Sequence, residues 1–195
     1  MFFSKIRSLE PLRGMALRQL NLRGCPLTDI SPLQGMPLHT LDMMQCEGVK
    51  NFHPLTGAPL KTLSAANTTV PDLSFLTDAP LEFLMIQGPF TDLSVLQGKP
   101  LRHLELLADR LTDLSPLRGL PLESLRIVSC PLVRDLTPLL GLPALQKLAV
   151  RKVGKAIEPL RPHPGLRLIS YDGRLELPVA EFWAEYDATQ AAGKK

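Results

Sequence analysis

The sequence predicts an α/β solenoid: a horseshoe with a parallel β-sheet on its concave face, short 3-10 or turn segments on its convex face and a C-terminal capping helix. Three observations lead there. A Leu-x-x-Leu-x-apolar phrase recurs eight times along 195 residues, its starts separated by 21, 22, 21, 20, 21, 23 and 21 positions. A second phrase follows it, clearest as Leu27-Thr-Asp-Ile-Ser-Pro-Leu33 and Leu111-Thr-Asp-Leu-Ser-Pro-Leu117. Hydrophobic residues form 45% of the chain while aromatics form only 5%, and there are 19 prolines. A core poor in aromatics must be built from leucine layers, and an interior proline costs a helix about 3 kcal/mol, so the elements are short. No such unit buries its own leucine face; stacking the units makes one continuous core.

The elements follow in chain order. Ile6, Leu9 and Leu12 match only the second phrase, so residues 1–16 read as a partial N-terminal repeat and the chain begins partway through a unit. Residues 17–177 hold about seven to eight units of 20–23 residues. Their strand phrases are Leu17, Leu20, Leu22; Leu38, Leu41, Met43; Leu60, Leu63, Ala65; Leu81, Leu84, Ile86; Leu101, Leu104, Leu106; Leu122, Leu125, Ile127; Leu145, Leu148, Val150; and, more loosely, Leu166, Ile169, Tyr171. Alternation with period two points Leu20 and Leu22 inward and Gln19, Asn21 and Arg23 outward. Ser31-Pro32 predicts a helical turn with Ser as N-cap and Pro at its first position, and Gly35 lets the chain turn back. The row Asp29, Asp72, Asp92, Asp113 and Asp135 follows the repeat and is expected to cap these turns. Residues 178–195 form the cap and tail: Val179, Phe182, Trp183 and Tyr186 fall on one helical face, with Pro178 in the first turn.

These phrases resemble those of leucine-rich-repeat proteins of the short, irregular kind seen in internalins. The run Asp113-Leu-Ser-Pro-Leu-Arg-Gly-Leu-Pro-Leu122 is also similar to repeat arrays of planctomycete-type bacterial proteins, often C-terminal to a serine/threonine kinase domain, and Pro178–Asp187 resembles the tails that close them. The resemblance covers nearly the whole chain and implies a bacterial, signalling-associated binding module. In that family, the position five residues after the second Leu prefers Asn or Cys. Here it holds Cys25, Cys46, Thr68, Pro89, Asp109, Cys130 and Val153. Pro89 and Val153 have no side-chain donor, so irregularity is expected there, with Asn67 standing in for Thr68. Insertions near Glu47 and Val133 and a deletion near Phe90 point the same way.

Motifs for catalysis are missing from the sequence: no phosphate-cradling Gly loop, no Gly-x-Ser-x-Gly elbow and no kinase loops. No enzyme activity and no cofactor are therefore expected. His39, His53, His103 and His163 lie in different repeats without ligand neighbours, which predicts no metal site. Cys25 and Cys46 sit in adjacent turns, but the expected role of all three cysteines is as buried ladder residues. An odd count without close pairs fits reduced thiols in a cytoplasmic setting. A net charge of +3 without a concentrated patch predicts neither nucleic-acid nor membrane binding, and no segment reaches the ~18 apolar residues of a membrane span.

The strand face remains. Its outward residues include an apolar strip, Met44, Phe83, Met85, Leu107 and Val128, and a basic end, Arg126, Lys147 and Arg151, near Lys152 and Lys155. Arg23, His103 and Glu105 complete the expected binding face. Exposed apolar residues rimmed by charge mark protein contacts, with Phe83 and Met85 as anchors and Arg126 and Arg151 as charged partners. The expected function is a protein-interaction module, read as the C-terminal array of a larger signalling protein. The alternative is a structural spacer or a self-associating array whose apolar N-terminal edge, Met1-Phe2-Phe3 onward, pairs with another chain.

Overall fold

A computed structural model describes residues 6–151, 154–171 and 176–192. Among the described residues nine strands form one sheet in sequence order: β1 (Gln19–Asn21), β2 (Thr40–Asp42), β3 (Thr62–Ala65), β4 (Phe83–Gln87), β5 (His103–Leu107), β6 (Ser124–Ser129), β7 (Lys147–Val150), β8 (Leu168–Tyr171) and β9 (Leu177–Pro178). The first eight are parallel; β9 returns antiparallel to β8. Between strands the chain crosses the convex side through 3-10 segments such as Ser31–Leu33, His53–Leu55 and Ser115–Leu117. The predicted solenoid is the observed one.

Each strand phrase explains its own packing. Leu41, Leu63, Leu84, Leu104, Leu125 and Leu148 stand in register across the sheet, and all are buried. Leu33, Leu55, Leu76, Leu96, Leu117 and Leu139 meet them from the convex segments. The core is thus a stack of leucine layers, with Phe52 and Phe75 as one stacked aromatic pair, centroids 5.4 Å apart.

The turns correct one expectation. Ser31 is the first residue of its 3-10 segment, Pro32 the second, and the preceding Ile30 has no capping side chain. The cap comes from Asp29, whose Oδ1 accepts the Ser31 N–H at 2.8 Å. Asp72, Asp92, Asp113 and Asp135 do the same for Ser74, Ser94, Ser115 and Thr137, at 2.7–2.9 Å. Before His53–Leu55 Asn51 takes the role, accepting from His53 N–H at 3.0 Å. A side-chain oxygen two residues ahead of the donor is the Asx geometry that Asp and Asn reach without strain. Hydrogen bonds from Ser or Thr hold each of these aspartate carboxyls below the usual range.

The ladder position behaves as the resemblance implies at Cys46, whose thiol donates to Leu22 O at 3.1 Å, one repeat away. Cys130 reaches Leu106 O at 3.8 Å. Thr68 fills its own place, its hydroxyl donating to Ala65 O at 2.6 Å; Asn67 does not replace it but supplies a left-handed residue with φ of 53°. At Pro89 the backbone closes the link instead: Val70 N–H donates to Gln87 O at 3.0 Å. This demands Gly88, since a Cβ there would lie 1.9 Å from Val70 O. Val153 lies outside the described residues. The register shift falls between β5 and β6, where Leu107 pairs with Ser129 and Val128 is skipped. The longest repeat absorbs its extra residue there, before the insertion expected near Val133.

Helix α1 (Val179–Ala192) closes the stack. Phe182, Trp183 and Tyr186 are buried on its inner face, and Tyr171 of β8 meets Phe182 with ring centroids 6.0 Å apart. Pro178 ends β9 rather than opening the helix. A polar clamp adds to the apolar face. The Arg161 guanidinium lies over the Trp183 ring at 4.2 Å and pairs with Asp187, while Tyr186 donates to Glu158 Oε1 at 3.1 Å. The tail from Gly193 onward and Met1-Phe2-Phe3 lie outside the described residues.

Candidate functional site on the concave face

Period-two alternation puts every second strand residue on the concave side, and the parallel register aligns them into rows. One row runs Gln19, Thr40, Thr62, Phe83, His103, Ser124, Lys147, Leu168; the next runs Asn21, Asp42, Ser64, Met85, Glu105, Arg126, Ala149, Ser170. Strands ~4.8 Å apart bring neighbouring side chains within contact reach.

The middle of the face is where the expected residues meet. Phe83 and His103 stand opposite, ring centroids 6.2 Å apart and tilted by 46°. Met85 stands opposite Glu105. Glu105 then forms an ion pair with Arg126 of β6 at 3.0 Å. Leu107 completes β5 beside Gln87. Arg23 is set apart: it follows β1 at the N-terminal edge, its N–H donating to Asn21 Oδ1 at 3.0 Å, three strands from Phe83. Met44 follows β2, its N–H donating to Asp42 Oδ1. Val128 is displaced by the register shift and lies beside the row rather than in it.

The apolar strip is less open than the sequence suggests. Met44, Phe83, Met85, Leu107 and Val128 are all half-buried, because adjacent parallel strands shade one another. Among the described residues the most exposed large apolar side chains lie elsewhere: Ile6, Met15, Leu132 and Leu140, each 42–47% exposed. The basic end is also modified. Arg126 is partly neutralised by Glu105, whereas Lys147 and Arg151 are exposed and make no ion pair among the described residues.

Three features went unread in the sequence. Gln87 accepts the Asn67 N–H through Oε1 at 2.9 Å, replacing a backbone ladder bond at the rim. Every outward residue of β3, Thr62 and Ser64 and then Ala66 beyond the strand end, is small, so the face dips there. Lys99 is buried at a position that holds Met36, Ala58 or Leu120 in other repeats, its Nζ donating to Thr77 O and Ala79 O at 2.8 Å. Desolvation lowers its pKa below the usual lysine range. Only Lys99 carried a signal, as a charged residue where the repeat calls for an apolar one.

Several concavities among the described residues lie at the edges and convex turns. One, of about 520 Å³, is lined by Gly24, Pro26, Leu27, Gln45, Glu47 and Asn67; others lie among turn residues such as Asp72, Ser74, Phe90 and Asp92. Among the described residues no group of three or more His, Cys, Asp or Glu converges as a metal site. Cys25, Cys46 and Cys130 are buried and unpaired. Burial pushes the Cys46 and Cys130 thiols up to about 11, which suppresses the nucleophilic thiolate. Among the described residues no helix is long and apolar enough to cross a membrane.

The chain is similar to solved internalin structures. An internalin (inlF) from Listeria monocytogenes aligns over 86% of this chain and 52% of its own, with 23% identity and a TM-score of 0.75. Internalin C2 of the same organism aligns over 87% and 78%, with 24% identity and a TM-score of 0.74. The functional domain of InlJ from Listeria monocytogenes, described as including a cysteine ladder, aligns over 88% and 38%, with 20% identity and a TM-score of 0.66. This chain therefore spans about half the length of the inlF chain. No family model matches the sequence, and no curated protein does. The fold is that of an internalin-like leucine-rich-repeat solenoid.

Proposed function

We propose that this leucine-rich-repeat solenoid is a non-catalytic protein-interaction module that binds a partner on its concave strand face. The observation that carries the reading is the patch Phe83, Met85, His103, Glu105 and Arg126, in which two half-buried apolar side chains adjoin an ion pair. Apolar anchors beside charged groups give a face both contact area and orientation. Three unpaired, buried thiols support a reducing, cytoplasmic setting. The likeness of the repeats to bacterial arrays supports a role as part of a larger signalling protein.

The test is a pull-down from a bacterial lysate comparing the native chain with the Phe83→Ala, Met85→Ala, Arg126→Ala variant, with equal folding verified by circular dichroism. A partner retained by the native chain and lost by the variant supports the reading. Identical recoveries contradict it.

Self-association is the second reading, favoured by the N-terminal end. β1 has a strand neighbour on one side only among the described residues, and Leu12, Leu17 and Leu20 are only partly covered beside exposed Met15. Sedimentation across a concentration series decides it: a monomer throughout removes this reading, and a dimer disrupted by Met15→Glu and Leu20→Glu supports it.

A further inference from the structure

Small residues interrupt the concave face at two places, and the chemistry around them differs. The first lies over β3. Its outward residues Thr62 and Ser64 stand between Thr40 and Asp42 on β2 and Phe83 and Met85 on β4. Ala66 continues this strip beyond the strand end and is only 6% exposed. Strands β2 and β4 are two spacings apart, about 10 Å, room for one bulky apolar side chain against Phe83 and Met85.

The second lies over β7. Ala149 is its small residue, between Arg126 of β6 and Ser170 of β8 in register. Lys147 and Arg151 rise on either side of Ala149, exposed and without an ion pair among the described residues. Two unneutralised cations around a small residue favour an anionic group set between them. The centres of β3 and β7 are four spacings apart, about 19 Å. An extended chain covers that distance in about six residues. The Glu105–Arg126 pair forms the ridge between them.

Resting on the concave-face reading above, we propose that the partner presents an extended peptide segment laid across the strands. One bulky apolar residue enters over β3, and an acidic residue or pair, about six positions away, meets Lys147 and Arg151 over β7.

The test uses synthetic peptides of about 14 residues, spaced with Gly, Ser and Thr. Each carries one Phe and one Glu-Glu pair, in either order, at separations from about two to about ten residues. Binding to the full chain is read by fluorescence polarisation. The expected result is strongest binding near six residues, weakened about tenfold at the shortest separation. Lys147→Glu with Arg151→Glu, both exposed and tolerant of change, should reverse the preference toward Lys-Lys peptides. Ala66→Phe should block the apolar site. No binding by any peptide, or equal binding of acidic and basic versions, overturns the proposal. If Ala66→Phe abolishes binding but separation and charge have no effect, the concave-face reading stands and this one falls. If binding survives both variants unchanged, both fall.

Discussion

Glu105 and Arg126 stand opposite each other on adjacent strands and are joined across the concave face at 3.0 Å. Glu105 is the more sheltered, at 19% side-chain exposure against 50% for Arg126. The pair ties the apolar centre of the face to its basic end. An ion pair with one open partner is screened by water, so its contribution to stability is small. A double-mutant cycle on Glu105→Gln and Arg126→Gln should give a coupling of about 0.2–1 kcal/mol, measured by urea denaturation and shrinking as salt rises. A coupling of several kcal/mol that ignores salt would mean the pair is structural.

Gly88 separates a steric requirement from a conformational one. A Cβ at Gly88 would lie 1.9 Å from Val70 O, a backbone atom that cannot swing aside. Gly35 has a φ of 74° but nothing within 4 Å of a built Cβ. Gly35→Ala should therefore cost about 1–2 kcal/mol of left-handed strain, and Gly88→Ala more than that. Thermal melts of the two variants check the order; equal losses would contradict the close approach.

The capping aspartates give the solenoid an acid limit. Their carboxyls titrate lower folded than unfolded, because Ser31, Ser74, Ser94, Ser115 and Thr137 donate to the charged form. A group depressed on folding stabilises above its unfolded pKa, about 3.9, and that stabilisation disappears as pH falls through the folded value. Melting temperatures should be flat near neutrality and fall below about pH 4. Asp113→Asn, copying the uncharged arrangement at Asn51, should flatten part of the acid slope. An unchanged slope would show that these caps do not control acid stability.

Lys99 makes the opposite prediction about charge. It is buried with two carbonyl partners at an apolar position of the repeat. Its pKa is lowered by desolvation, so the charged form opposes folding below that value and stability rises with pH toward the unfolded lysine pKa. Lys99→Met, matching Met36, should stabilise the chain near neutrality by on the order of 1 kcal/mol, with the gain narrowing as the medium turns alkaline. A destabilised variant would mean the two carbonyl bonds outweigh desolvation.

The fold was legible because one spacing is repeated. The inward leucines of Leu41, Leu63 and Leu84 declare the strand register, and Val179, Phe182, Trp183 and Tyr186 declare the cap. What escaped depends on contacts between repeats rather than within them. The skip at Val128 shows where a 23-residue unit discards its surplus, which periodicity alone does not place. For the face, alternation places the outward rows apart from Val128, which the register shift removes, but it does not give their shading: whether Phe83 is open depends on His103, twenty residues away. The Glu105–Arg126 pairing and the dip over β3 likewise emerge only when strands are set side by side.

Site-specific photo-crosslinking tests the central claim most directly. A benzophenone amino acid would be placed at Met85 on the concave face and, separately, at Arg118 on the convex side, and each protein irradiated in a bacterial lysate. The account predicts a discrete adduct from position 85 and none from position 118. Adducts from position 118 alone, or from neither position, would contradict a binding role for the concave face.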